Sequence, residues 1–386
     1  MSWEAKTLGE ISINIQTGPF GSQLHQSDYS EVGTPVVMPK DLINGKISED
    51  SIARVSKDHV ERLSRHKIEV GDILYSRRGD VGRCAFTTER EKDWLCGTGC
   101  LRVTVDKEQA NPKFVFFQLQ KPETIGWVVN HAVGATMLNL NTSILSDVPV
   151  SVPEIEVQDK IVNILSAYDD LIENNQKQIK LLEEAAQRLY KEWFVDFHFP
   201  GYEDAKLVDG VPEGWEKKLV GELIGKISRT KQIKTADYLS EGCIPVIDQS
   251  REFIAGYTND NESMVDLGFP VIVFGDHTRI LKYIQFPFAK GADGTQLIIS
   301  NEERMPQSLL YLSLIAVDLS NYHYARHFKY LKAESILVPS KNISEEFDKL
   351  VSPLLQQTQK LRDICNKSSE ARDRLLLKLM SGEFEV

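Results

Sequence analysis

The sequence predicts an α+β protein in which two similar globular units alternate with two long helices. Three observations predict this class: segments of the first half recur in the second, strand-like runs bounded by Gly, Asp and Asn occur in both halves, and each half closes with a long heptad pattern. The predicted boundaries are 1–152 and 200–338 for the globular units, and 153–199 and 339–386 for the helical regions.

The internal repeat is visible in three places. Residues 3–11 and 215–223 are identical at five of nine positions, 212 residues apart. The pattern Gly-Asp-x-x-Arg occurs at 79–83 and again at 275–279, each time after a strand-like run. A Val-Pro dipeptide begins at positions 152 and 338 and precedes a helical pattern. The spacing shrinks from 212 to 196 to 186, so we expect shorter loops in the second copy.

Within each unit the pattern indicates short strands and one helix. The runs 35–38, 72–75 and 269–274 are rich in β-branched and aromatic residues, which is typical of strands. Helices are predicted at 112–120 and 306–317, each with proline at the favoured first helical position.

The first helical region has apolar residues at alternating spacings of four and three over nearly five heptads, which predicts a coiled-coil seam. The seam positions are Ile161, Leu165, Tyr168, Ile172, Asn175, Ile179, Leu182, Ala186, Leu189 and Trp193. The second region has a more polar seam: Phe347, Val351, Leu354, Thr358, Leu361, Cys365, Ser368, Arg372, Leu375 and Leu379. A folded spacer between the helices favours antiparallel pairing, and hence a dumbbell with a pseudo-twofold axis.

Composition excludes several classes of protein. The contents of 41% hydrophobic and 26% charged residues exclude collagen-like and disordered chains. Apolar runs long enough to span a bilayer and signal-peptide features are both missing, so we expect a cytoplasmic protein with no membrane association. The five cysteines are expected to be core thiols rather than disulfides. A net charge of −11 counts against bulk electrostatic binding of nucleic acid but permits local basic patches.

Complete catalytic motifs are missing from the sequence. Asn111-Pro112-Lys113-Phe114 is the nearest match to the tetrad of an adenine methyltransferase, but its third residue is Lys, and a capped helix start is the simpler interpretation. The 221–227 segment is too short for a phosphate-binding loop. Glu216-Lys217-Lys218 is interpreted as a salt bridge at a strand edge rather than part of a nuclease site. Cys96 and Cys100 lack the second ligand pair of a zinc site. We therefore expect no catalytic residue, metal or cofactor.

Three segments give the chain a resemblance to a known family. They are 139–161, with Val148-Pro149-Val150-Ser151-Val152-Pro153 and Val157-Gln158; 187–197, Gln-Arg-Leu-Tyr-Lys-Glu-Trp-Phe-Val-Asp-Phe; and 374–384, Arg-Leu-Leu-Leu-Lys-Leu-Met-Ser-Gly-Glu-Phe. On these segments the whole chain resembles the specificity (S) subunit of a type I restriction-modification system. It departs from the family pattern at Val157, where Glu is usual, and at 340–346, which lacks the corresponding Gln.

The resemblance implies a subunit without catalytic activity of its own. It implies that each globular unit reads one half of a bipartite site in double-stranded DNA. It also implies two bound modification (methyltransferase) subunits and, in the full complex, restriction subunits. The alternative from another class is a coiled-coil scaffold whose two globular ends bind proteins.

Candidate DNA-binding residues follow from the chemistry of base edges and phosphates. Arg and Lys suit guanine, Asn and Gln suit adenine, and basic clusters suit phosphates. Base-reading candidates on predicted loops are Gln23, Lys40, Arg77, Arg78, Arg83 and Asn139 in the first unit, and Gln249, His277, Arg279 and Lys329 in the second. Phosphate candidates are Arg62, Arg65 and Lys67 beside Arg77, Arg78 and Arg83, and Lys226, Arg229, Lys231 and Lys234. For Arg83 and Arg279 a salt bridge to the Asp three residues earlier is equally plausible.

Aromatic residues cluster where the first helix ends. Trp193, Phe194 and Phe197 are interpreted as an interface for a partner protein. The alternative is that they pack against the neighbouring globular unit.

Overall fold

The computed structural model describes residues 3–134, 136–228, 230–322 and 326–382, and it divides into two compact units. Unit 1 consists of Met1–Ile172 with Lys367–Val386, and unit 2 of Glu173–Asn366. Both units mix helices with small sheets, which confirms the predicted α+β class. Across the described ranges, every helix is too short or too polar to cross a bilayer.

The elements of unit 1 follow one another in this order: β1 (Glu4–Thr7), β2 (Ser12–Thr17), β3 (Tyr29–Ser30), β4 (Thr34–Val37), β5 (Leu42–Ile43), β6 (Lys46–Ile47), β7 (Ala53–Val55), α1 (Lys57–Arg62), β8 (Ile73–Ser76), β9 (Cys84–Phe86), β10 (Leu95–Cys96), β11 (Cys100–Val105), α2 (Pro112–Leu119), α3 (Pro122–His131), α4 (Thr142–Ser146), β12 (Pro149–Val152) and the first part of α5 (Ile155–Tyr190).

Unit 2 continues α5 through a π-helical turn, Lys191–Val195, and then contains: β13 (Leu207–Val208), β14 (Val211–Pro212), β15 (Glu216–Leu219), α6 (Val220–Leu223), β16 (Ile244–Ile247), β17 (Gly256–Thr258), β18 (Met264–Val265), β19 (Val271–Gly275), β20 (Leu281–Ile284), β21 (Phe288–Lys290), β22 (Thr295–Ile298), α7 (Gln307–Ile315), α8 (His327–Ala333), β23 (Ser335–Val338) and the first part of α9 (Lys341–Met380).

The sequence repeat corresponds to the same antiparallel strand pair in each unit. In unit 1, β1 pairs antiparallel with β12, and Glu4 lies opposite Val152. In unit 2, β15 pairs antiparallel with β23, and Glu216 lies opposite Val338. The repeated N-terminal segment of each unit therefore pairs with the strand that precedes its long helix.

Two larger sheets form the body of each unit. In unit 1 their strand orders are β10-β4-β7-β3 and β2-β11-β8-β9. In unit 2 the orders are β17-β16-β21-β18 and β20-β19-β22. All residues of β8 and β19 are buried, which explains why these two strands read as continuous apolar runs. The predicted strands at 35–38, 72–75 and 269–274 are thus confirmed to within about two residues.

The long helices pair antiparallel inside each unit. In unit 1, Asp169 of α5 contacts Arg372 of α9, while the earlier Ile161 shares a core with the later Leu379. In unit 2, Glu183 pairs with Arg362, and Tyr190 packs on Phe347. Every predicted seam position is buried or half-buried, so the heptad pattern located the contact face correctly.

Three local predictions need correction. Each unit has more helices than the one predicted, because α1, α3, α4, α6 and α8 span only four to ten residues and lack a clear period. Pro306 is the N-cap of α7 and has an extended backbone, so the first helical residue is Gln307. Cys243 is exposed, whereas the other four cysteines are buried thiols as expected.

Candidate nucleic-acid interface

The end of β8 brings three sequence-predicted residues of unit 1 together. The Arg77 backbone N–H donates to Gly99 O at 2.8 Å, and its carbonyl accepts from Leu140 N at 2.8 Å. Arg78 forms an isolated antiparallel bridge with Asn139. Arg78 is exposed, and Arg77 and Asn139 are half-buried. The two arginines and the asparagine therefore share one loop surface whose backbone is fixed on both sides.

Phe20 belongs to the same surface and was missed by the sequence predictions. Its ring is 50% exposed, and the Arg77 guanidinium carbon lies 5.7 Å from the ring centroid. That distance is within the range of a cation–π contact. Gln23 holds the Phe20 loop, because its Oε1 accepts a hydrogen bond from Phe20 N at 3.1 Å. A lone aromatic residue between Pro19 and Gly21, in a turn segment, was the available signal.

Two further candidates of unit 1, Arg83 and Lys40, have partners within the chain. Arg83 Nε donates to Asp80 Oδ2 at 2.6 Å, so the Gly-Asp-x-x-Arg pattern forms the turn salt bridge here. Lys40 Nζ donates to Ser51 O at 2.8 Å. Both basic side chains remain exposed. They can still neutralise phosphates, since an exposed ion pair is weak.

In unit 2 the turn after β19 brings Gln249 and His277 together. Gln249 Oε1 accepts a hydrogen bond from His277 N at 3.0 Å, and Gln249 Nε2 donates to Asp293 O at 2.8 Å. His277 is exposed. Arg279 has a left-handed backbone, with φ of 62°, and its Nη1 donates to Leu319 O at 2.9 Å. The second Gly-Asp-x-x-Arg copy therefore differs from the first, because its arginine bonds a backbone carbonyl.

Two members of the predicted basic cluster of unit 2, Lys231 and Lys234, are exposed. Lys231 forms an ion pair with Asp260 at 2.6 Å, and Lys234 is exposed. Lys329 is exposed on α8, whose first residue, His327, donates its backbone N–H to Asp276 O at 2.8 Å. Lys329 therefore lies close to the turn that carries His277, whereas Lys231 is held by an acidic neighbour. Arg229 lies outside the described residues.

Two buried ionisable groups have strongly shifted pKa values. Burial lowers the pKa of the Lys282 ammonium to about 8, against the raising effect of the Asp248 and Glu252 carboxylates. Burial, followed by the charges of Arg65 and Arg102, lowers the pKa of His66 to about 4. Lys282 is 4% exposed and lies in β20, beside the loop that carries Gln249.

The motifs that resembled catalytic sites have structural partners. Asn111 caps α2, since its Oδ1 accepts from Lys113 N at 2.9 Å, and its Nδ2 donates to Asp159. Glu216 pairs with Arg304 at 3.0 Å, as well as with a lysine on its own strand. Burial raises the pKa of Cys96 to about 12, so this thiol stays protonated at neutral pH. Within the described residues, His, Cys, Asp and Glu form no group of three or more that could bind a metal.

The aromatic residues predicted as a partner interface lie mostly in the core of unit 2. Trp193 and Phe194 are 6% and 3% exposed, and both pack on the fully buried Phe347. Phe197 is half-buried and contacts Trp215 edge-on at 5.9 Å. Their burial favours the alternative interpretation, in which these rings pack inside unit 2.

Comparison with known proteins finds similar DNA specificity subunits. Residues 1–184 match the family model of the type I restriction modification DNA specificity domain. The chain is 26% identical over its whole length to the type I restriction enzyme MjaIX specificity subunit of Methanocaldococcus jannaschii, and covers 94% of it. It is 29% identical over 199 residues to the HindI specificity subunit of Haemophilus influenzae, covering 50% of this chain and 41% of that subunit.

A solved structure shows the same fold. The S subunit of a type I restriction-modification system from M. genitalium is similar with a TM-score of 0.60 and 16% identity, over 98% of this chain and 96% of that one. The fold, the family model and the full-length relative agree with the segments on which the resemblance was first stated. The chain is therefore similar over its whole length to a type I restriction enzyme specificity subunit, and its residues 1–184 match the specificity domain of that family.

Proposed function

We propose that this chain is the DNA sequence-specificity subunit of a type I restriction-modification enzyme, and that each unit reads one half of a bipartite site in double-stranded DNA. One observation supports this most. The loop surface at the end of β8 and its repeat counterpart after β19 both present side chains suited to base edges, Arg77, Arg78 and Asn139 in unit 1 and His277 in unit 2. Similarity to specificity subunits over the whole chain favours this function over the protein-binding scaffold.

The remaining candidate residues take supporting roles in this proposal. Exposed basic side chains contact phosphates, which positions the duplex without specifying its sequence. They are Lys40, Arg83, Lys231, Lys234, Arg279 and Lys329. Gln23 holds the Phe20 loop beside Arg77. The chain contributes no catalytic group, metal or cofactor, and it acts in the cytoplasm, where the DNA is.

The two long helices are proposed to set the spacer between half-sites and to dock two modification subunits, with restriction subunits joining the full complex. Exposed apolar residues on α5 and on the π-helical turn, Leu181 at 65% and Val195 at 52% exposed, are available for docking, unlike Trp193 and Phe194. Inserting one heptad at matched positions of α5 and α9 preserves the seam and lengthens each helix by about 10 Å. The unread gap should then grow by about three base pairs.

Mapping of methylated sites tests the reading surfaces directly. The chain is co-produced with its modification subunits in a host without other DNA methylation, and all methylated positions are determined. Arg78→Ala should relax one half-site and His277→Ala the other, each by about 1 to 3 kcal/mol if the contact specifies a base. Lys107→Ala is the matched control, because this exposed residue follows the opposite end of β11 from Arg78.

The outcomes separate the alternatives. A uniform loss of methylation across all sequences would identify the altered residue as a phosphate contact. If Arg78→Ala and His277→Ala both relaxed the same half-site, the division of reading between the two units would be wrong. Unaltered methylation in both variants would remove these surfaces from the DNA interface.

A further inference from the structure

Both polar atoms of the Gln249 side-chain amide form hydrogen bonds inside unit 2. Its Nε2 donates to Asp293 O at 2.8 Å, and its Oε1 accepts from His277 N at 3.0 Å. Its backbone carbonyl accepts from Thr278 Oγ1 at 2.7 Å. A bidentate contact with adenine uses both the amide donor and the amide acceptor. The structure therefore uses the same atoms that a base contact would require.

The Gln249 side chain and the turn that it holds pack directly against two glycines, where a Cβ atom would clash. A Cβ atom on Gly275 would lie 2.2 Å from Thr278 Oγ1 and 2.9 Å from Gln249 Cβ. A Cβ atom on Gly294 would lie 2.7 Å from Gln249 Nε2 and 2.8 Å from His277 Cδ2. Since real Cβ contacts are essentially never shorter than 3.0 Å, any side chain at either position would displace the amide of Gln249 or the turn that it holds.

The loop that carries Gln249 is itself anchored by a buried cation. Lys282 Nζ donates to Asp248 O at 2.9 Å and to Glu252 O at 2.5 Å. One ammonium group therefore holds the backbone both before and after Gln249. The Asp248 carboxylate also accepts from Ser250 N at 2.8 Å. Gln249 therefore projects from a fixed base, and two hydrogen bonds connect that base to the turn at 276–279: His277 N donates to the Gln249 Oε1, and Thr278 Oγ1 donates to the Gln249 carbonyl.

We infer that Gln249 is a positioning residue, which fixes the backbone of His277 so that the exposed imidazole meets DNA in one orientation. The inference rests on the proposed DNA-reading function of the surface after β19. It changes the role of Gln249, for which the sequence predicts a base contact of its own. Pre-organisation of this kind increases affinity and discrimination, because the turn loses less conformational freedom on binding.

A double-mutant cycle on the assembled complex tests this inference. Gln249→Ala, His277→Ala and the double variant are compared for methylation of duplexes in which every base pair of the half-site is varied singly. Gln249→Ala should lower discrimination about 5- to 10-fold, at the same base pair that His277→Ala affects, because the hydrogen bond that holds His277 N is lost. The double variant should be no worse than His277→Ala alone, since the positioning residue acts only through His277.

The conservative variant provides a readout that a general structural role would not give. Gln249→Glu keeps an acceptor for His277 N but loses the donor to Asp293 O, so its discrimination should lie between those of the parent chain and Gln249→Ala. Thermal unfolding of each variant checks that unit 2 is folded. If Gln249→Ala does not fold, Thr278→Val removes one bond of the same arrangement and should affect the same base pair more weakly.

Other outcomes overturn the inference in distinguishable ways. If Gln249→Ala relaxes a separate base pair and its effect adds to that of His277→Ala, Gln249 reads a base directly, and the proposed function stands. If His277→Ala has no effect while Gln249→Ala does, Gln249 acts without His277 and the positioning role is wrong. If neither variant alters either half-site, the surface after β19 does not read DNA, and both the inference and this part of the proposed function fail.

Discussion

Phe347 is the side chain whose removal should most clearly destabilise unit 2. Its ring is fully buried and lies 4.8 Å from Phe194, 5.5 Å from Trp193 and 6.4 Å from Tyr190. Replacing a buried phenylalanine by alanine costs about 3 to 5 kcal/mol, through lost transfer free energy and the cavity left behind. We expect about 4 kcal/mol for Phe347→Ala, because aromatic contacts add to the area term. For a unit of this size that corresponds to a Tm lower by about 8 to 16 °C.

Denaturant unfolding measured by tryptophan fluorescence is the direct assay, since Trp193 lies within the cluster. Hydrogen exchange of the 187–199 segment should show that the loss of protection is local. Phe347→Leu retains most of the apolar volume and should cost no more than about 1.5 kcal/mol. Val195→Ala, at a position 52% exposed, should change stability by less than about 0.5 kcal/mol. A cost below about 1 kcal/mol for Phe347→Ala would refute the assignment of these rings to the core of unit 2.

Three further predictions concern DNA and protons. With a net charge of −11, the isolated chain should bind duplex DNA with a Kd above about 1 µM at physiological salt; nanomolar, sequence-specific binding without modification subunits in an equilibrium titration would contradict this. Phe20→Ala should weaken discrimination at the half-site that Arg77→Ala affects, whereas Phe20→Tyr, which keeps the ring, should leave discrimination unchanged. If methylation mapping shows that the effects of Phe20→Ala and Arg77→Ala fall on separate base pairs and add, Phe20 acts without Arg77. The pKa of His66 is about 4 when folded and about 6.5 when unfolded, so the unfolded state binds more protons between these values. The free energy of unfolding of unit 1 should therefore be undiminished above pH 6.5 and fall by at most about 3 kcal/mol towards pH 4. His66→Gln should remove this part of the pH dependence, whereas the exposed control His25→Gln should leave it unchanged.

The elements that the sequence predicted well are those with a long or a local signal. The heptad pattern locates the contact faces of α5 and α9 because it repeats over many turns, so a single polar residue in the seam, such as Asn175, does not obscure it. The Asn111 cap is equally predictable, since its partners lie within three residues. The Asp80–Arg83 salt bridge is less so, because the same pattern at 275–279 places its arginine on Leu319 O instead. Short helices such as α4 have too few residues for a period and form where caps and tertiary packing allow.

The candidate site was less predictable because its contacts are distant in the chain. The sequence places Arg78 and Asn139 on separate loops, and only the folded structure shows that they are neighbours. Gln249 illustrates the converse problem. Its residue type suits adenine, but Asp293 lies 44 residues away and satisfies the amide donor, so residue type alone could not separate a base contact from an internal hydrogen bond.

The acidic balance of the chain has a structural counterpart in its basic candidates. Lys231 is paired with Asp260, Arg83 with Asp80, and Arg279 with a backbone carbonyl, so several cations at the proposed surfaces already have partners. Exposed pairs of this kind can exchange partners at little cost, but each cation then leaves an acidic group near the phosphates. Such a surface discriminates between sequences through a few fixed contacts while contributing little non-specific attraction. Under the proposed function we therefore expect most of the affinity for DNA to come from positive charge on the modification subunits, so that specificity and affinity would be carried by different chains.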